Sequence, residues 1–126
     1  MRIPAILAAI ALFALAPTAL LAHVELTAST PAANTEAKAP KQITLTFSQP
    51  VDPATAAASI VMTAMPGMAN HGEMAIRNFT ASWSDEGKTM TLALKKPLPE
   101  GTYEVRWQAA AADGHGMSGT VVFDVR

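Results

Sequence analysis

The feature that most constrains this chain is an alternation of period two that returns four times, with turn residues in between. Ile43, Leu45 and Phe47 alternate with Thr44 and Thr46, and Met90, Leu92 and Leu94 alternate with Thr91 and Ala93. Tyr103, Val105 and Trp107 alternate with Glu104 and Arg106, and Val121, Phe123 and Val125 close the chain in the same rhythm. Successive side chains of a strand point to opposite faces, so each segment is a strand with one face buried. Between these segments lie Ser29-Thr30-Pro31, Gln49-Pro50-Val51-Asp52-Pro53, Ser84-Asp85-Glu86-Gly87, Pro97-Leu98-Pro99-Glu100-Gly101 and Asp113-Gly114-His115-Gly116, all rich in turn formers.

Further strands near 24–28, 58–63 and 74–83 bring the count to about seven, which predicts an all-β fold, a Greek-key β-sandwich of two sheets. Residues 52–58 are alanine-rich, but Pro53 limits them to one helical turn. Trp83 and Trp107 belong to the core or its rim.

The first residues stand apart from this pattern. Met1-Arg2 is a short positive start, residues 3–16 are an apolar run, and small residues lead from Pro17 to Ala22. That is the layout of a secretory signal peptide. The run is shorter than the roughly 20 residues of a membrane-spanning helix, so a soluble exported protein is expected, not embedded in the membrane after cleavage. Ala14-Leu15-Ala16 also fits the small-x-small rule, but cutting there would place Pro17 directly after the scissile bond. Cleavage after Ala22 is the expectation, giving a signal peptide of 1–22 and one domain of 23–126 whose first residue is His23.

The chain has 126 residues, enough for one domain and too few for two. Its formal net charge of −1 offers no basic stripe, so nucleic acid is not an expected partner. There are no cysteines, so packing rather than disulfides must stabilise the exported domain. Methionine thioether is then the available soft metal ligand.

Residues 61–74 read VMTAMPGMANHGEM, with Met62, Met65, Met68, His71 and Met74 each three positions apart in one unbroken row. On a helix this would be a core stripe. Pro66-Gly67 breaks such a helix, so the stretch is expected to be a loop. Thioether sulfur is a neutral, polarisable donor that prefers monovalent copper to zinc, magnesium or calcium, and an imidazole joins it well.

The other two of the 3 histidines are His23 and His115. A terminal histidine can chelate one ion through its free amine and its imidazole. With His115, it offers nitrogen donors that suit Cu(II). Asp113 precedes His115 by two positions, on the same face if the segment is extended, and can ligate the ion or orient a histidine. No Gly-rich phosphate loop, no Cys-His pair and no nucleophile elbow is present, so a hydrolase finds no support.

At these residues the sequence resembles the CopC family of small periplasmic copper-binding proteins. The resemblance is carried by His23 after an Ala-ending leader, Ser29-Thr30-Pro31-Ala32, Leu45-Thr46-Phe47-Ser48, the methionine row with His71, Gly101-Thr102-Tyr103-Glu104-Val105-Arg106-Trp107, and Asp113-Gly114-His115 leading into Ser118-Gly119. It implies a cupredoxin-like, immunoglobulin-like sandwich of seven strands with a copper site at each end. Cu(II) would be held by His23, Asp113 and His115. Cu(I) would be drawn from Met62, Met65, Met68, His71 and Met74. The implied partners are copper ions and either a CopD-type inner-membrane copper transporter or another periplasmic copper protein. Gln49 stands where many members carry a Glu, and an amide lacks the carboxylate charge.

The function expected is a non-enzymatic carrier in copper homeostasis and resistance. The alternative is a copper-dependent oxidase or monooxygenase with a histidine-brace-like site, against which 1 Tyr and 2 Trp leave few aromatics for a sugar-binding face.

Overall fold

Each of the four alternating segments becomes a strand that buries its apolar positions between two sheets. The computed structural model describes residues 24–67, 72–111 and 114–126. In chain order the strands are β1 (Leu26–Thr30), β2 (Glu36–Ala37), β3 (Gln42–Phe47), β4 (Ala57–Ala64), β5 (Met74–Ile76), β6 (Phe79–Trp83), β7 (Thr89–Leu94), β8 (Gly101–Ala110) and β9 (Gly116–Val125). One sheet has the order β1-β3-β7-β6 and the other β2-β9-β8-β4-β5. All neighbours pair antiparallel except β2, which runs parallel to β9.

The core is the apolar half of each alternating strand. Ile43, Leu45 and Phe47 of β3 and Met90, Leu92 and Leu94 of β7 face Tyr103, Val105 and Trp107 of β8 and Val121, Phe123 and Val125 of β9 in one buried cluster. Aromatic rings fasten its two ends. Tyr103 and Phe123 stack with centroids 5.8 Å apart, while Phe47 meets Trp107 edge-on at 5.1 Å and stacks on Trp83 at 6.1 Å. Trp107 is buried and Trp83 half-buried, as expected of the core and its rim.

Two details differ from the sequence expectation. The single strand expected over 74–83 is two strands in different sheets, because the chain crosses the sandwich at Arg77-Asn78. With the two-residue β2 this gives nine strands among the described residues instead of about seven. The helical turn after Asp52 is present as a 3-10 turn over Pro53–Thr55, capped by the Asp52 side chain, which accepts from the Ala54 N–H at 3.0 Å.

Candidate functional site

The long central strand β8 defines two ends of the sandwich, and the described candidate ligands lie at those ends. Met62 is opposite Tyr103, near the start of β8, and the Ala111 N–H donates to the His115 carbonyl just beyond its finish. Eight residues at about 3.3 Å each put roughly 25 Å between these levels.

At the first end, the methionine row is divided between strand and loop. Met62 lies in β4 and Met74 in β5, so the stretch expected to be one loop is a loop only after Ala64, as far as its described residues go. Ile60 and Met62 continue the inward alternation of β4, and Met62 fills the core until Pro66-Gly67 turns the chain. Met62 also lies against Gly101, where an added Cβ would come within 3.1 Å of the Met62 methyl and 2.7 Å of the Ala64 carbonyl oxygen.

Met74 is the direct cross-strand partner of Met62, so the two side chains share a face of the sheet. Met65 is half-buried against the edge of the core, and Met74 is exposed. Three thioethers thus descend from the surface into the core at one end. Met68 and His71 lie outside the described residues. A groove of about 510 Å³ opens beside Met65, with Glu100 and Asp124 on its wall.

An ion pair with no local signal in the sequence holds the start of β5. Arg106, on the outer face of β8, reaches both Glu73 oxygens, at 2.7 and 3.4 Å, and its Nε donates to Glu104 at 3.0 Å. Those hydrogen bonds, and then the guanidinium charge, hold the Glu73 carboxyl below the usual carboxylate range. Glu104 and Arg106 alternate outward on one strand and could have been paired from sequence. Glu73 is 33 positions from Arg106, and no local pattern links them.

The second end is assembled by a bridge of backbone bonds. Glu25 and Ser48 exchange bonds, from the Glu25 N–H to the Ser48 hydroxyl at 3.0 Å and from the Ser48 N–H to the Glu25 carbonyl at 2.8 Å. The Asp52 N–H then donates to the Ala110 carbonyl at 3.1 Å, and the Ala110 N–H to the Thr55 hydroxyl at 3.2 Å. This chain of contacts ties the start of the β1 segment, where Val24 is fully buried, to the turn between β8 and β9 that carries His115. His115 is exposed, and Gln49 on the bridge is half-buried. His23 and Asp113 lie outside the described residues. Among the described residues no three His, Asp or Glu side chains gather closely enough to hold a metal ion. Among them, too, no helix is long and apolar enough to cross a membrane.

The arrangement can therefore present sulfur donors at one end and a histidine at the other, with a packed core between. Residues 26–126 match the model of the CopC domain. The chain is 42% identical over 105 residues to copper resistance protein C of Pseudomonas syringae pv. tomato, covering 83% of this chain and 82% of that one. It is 37% identical over 106 residues to copper resistance protein C of Escherichia coli, covering 84% and 83%. The crystal structure of PcoC, a methionine-rich copper resistance protein from Escherichia coli, superposes with a TM-score of 0.75 at 33% identity, over 83% of this chain and 100% of that one.

Proposed function

Because this chain belongs to the CopC family, we propose that it is a copper carrier of the periplasm that binds copper, protects it and passes it on without catalysing a reaction. Export with cleavage after Ala22 would make His23 the first residue of the domain 23–126. Its amine and imidazole would hold Cu(II) together with Asp113 and His115. Cu(I) would be taken by thioethers from the set Met62, Met65, Met68 and Met74, with His71 beside them. Hand-off would go to a CopD-type membrane transporter or another periplasmic copper protein.

The observation that carries this proposal is the separation of donor types. Met62, Met65 and Met74 cluster at one end of β8, and His115 lies at the other. Thioethers favour monovalent copper, whereas amine, imidazole and carboxylate favour the divalent ion. One ion cannot be ligated by both sets across the core.

The test is whether the two affinities separate. His23→Ala, or one extra residue ahead of His23, should weaken Cu(II) binding and leave the first equivalent of Cu(I) unaffected. Met65→Leu with Met68→Leu should do the reverse. Equal loss of both ions in either variant would sink the two-site carrier. Oxidised oligosaccharides formed from polysaccharide by the Cu(II)-loaded protein with reductant and peroxide would replace the carrier by an enzyme.

A further inference from the structure

We propose that His115 and Met117 together form a second site for a soft monovalent ion, Cu(I) by chemistry, at the end of the sandwich opposite the methionine row. The exposed large hydrophobic side chains among the described residues are Met74, at 49%, and Met117, at 38%. Both are methionines, and one lies at each end. An exposed thioether gains little from burial and is open to a soft ion as a donor.

The strand register places Met117 beside His115. Met117 is opposite Ala109, Gly116 is opposite Ala110, and the Ala111 N–H donates to the His115 carbonyl at 3.3 Å, which continues the same pairing by one step. Ala109 and Ala111 both belong to the buried core cluster, so they face inward. Directly opposed residues share a face, so His115 and Met117 stand on the inward side of β9, two positions and about 7 Å apart along the strand.

The next inward position is Gly119, over which the Trp107 indole lies so closely that an added Cβ would come within 2.8 Å of the ring. Trp107 thereby fills the row behind Met117. The imidazole and the thioether are left as neighbours at the mouth of the sandwich. The flexible methionine side chain can bring its sulfur to an ion held by the imidazole. A neutral nitrogen and a neutral sulfur make a soft pair suited to Cu(I). The inference shares His115 with the proposed Cu(II) site and so rests on that end being a copper site, but it needs neither His23 nor Asp113. This end would then accept either oxidation state, one at a time.

The experiment uses the exported protein labelled with 13C at its methionine methyls and titrated with Ag(I), a diamagnetic stand-in for Cu(I). Met117→Leu assigns the Met117 signal, and the buried Met90 methyl reports that each variant is folded. The Met117 methyl should shift in a second phase, after Met74. His115→Ala should weaken that phase about tenfold or more. Met117→Leu should leave Cu(II) affinity within about twofold, since a thioether is no part of that ligand set. A Met117 signal unmoved through two equivalents, or one that moves with an unchanged midpoint in His115→Ala, overturns the proposal. Failure of the unaltered protein to hold Cu(II) would instead count against the carrier reading, while the Ag(I) shifts still decide the His115–Met117 pair.

Discussion

Met62 and Met74 stand directly opposite each other across β4 and β5, the first 3% exposed and the second 49%. The same residue type is therefore core on one strand and surface on its neighbour. Leucine conserves the volume and removes the sulfur. Met62→Leu should change stability by less than about 1.5 kcal/mol, and Met62→Ala should cost about 2–5 kcal/mol by opening a cavity. Met74→Leu should leave the melting temperature in place and lower Cu(I) affinity about tenfold or more. Thermal denaturation and competition with a Cu(I) chelator would check these outcomes, and loss of stability in Met74→Leu would show that its exposed position is misjudged.

Gly119 is the close approach that seats Trp107. A Cβ at this position would lie 2.8–3.0 Å from three atoms of the indole, so Gly119→Ala must displace the ring or the strand. The expected cost is about 1–3 kcal/mol, as for other overpacked cores, with a shift in tryptophan emission. Gly119→Ala at wild-type stability with unaltered emission would contradict the packing described.

The Glu73–Arg106 pair should respond to acid. Its carboxyl is held below the usual range by the guanidinium, so the pair contributes above that range and is lost as pH falls through the lowered value. Both groups are exposed, so the effect is local. Carbon-detected titration should find the Glu73 midpoint below that of an ordinary glutamate. Arg106→Gln should return it to the ordinary value, and no change in that variant would break the assignment.

The single tyrosine gives an alkaline counterpart. Burial pushes the Tyr103 hydroxyl up to about 12, and the hydroxyl donates to the Pro99 carbonyl at 2.6 Å. The fold favours the neutral phenol, so this stabilisation is complete below the unfolded value of 10.0 and is lost as pH rises toward about 12. Phenolate absorbance of the folded protein should have its midpoint at about 12. Tyr103→Phe should cost about 0.5–1.5 kcal/mol, the net worth of one hydrogen bond.

The core was legible in the sequence because alternation is a local property. The triples 43/45/47, 90/92/94, 103/105/107 and 121/123/125 appear as β3, β7, β8 and β9. The crossing at Arg77-Asn78 was not legible, since choosing a sheet depends on partners far along the chain. The division of the methionine row was half legible: Pro66-Gly67 marked the turn, but equal spacing hid the fact that Met62 is a core residue of a strand. The Glu73–Arg106 pair depends on register, which composition and motif do not encode, whereas Met117, two positions after His115, was open to the same alternation argument.

The most direct measurement loads both ions at once. The protein beginning at His23, held without oxygen, is offered one equivalent of Cu(II) and one of Cu(I), each against a chelator specific for its oxidation state. Both should be retained together, Cu(II) at the His23 end and Cu(I) at the methionine end, giving two coppers per chain. If loading either ion displaces the other, so that the total stays at one, the claim of two separated sites is wrong.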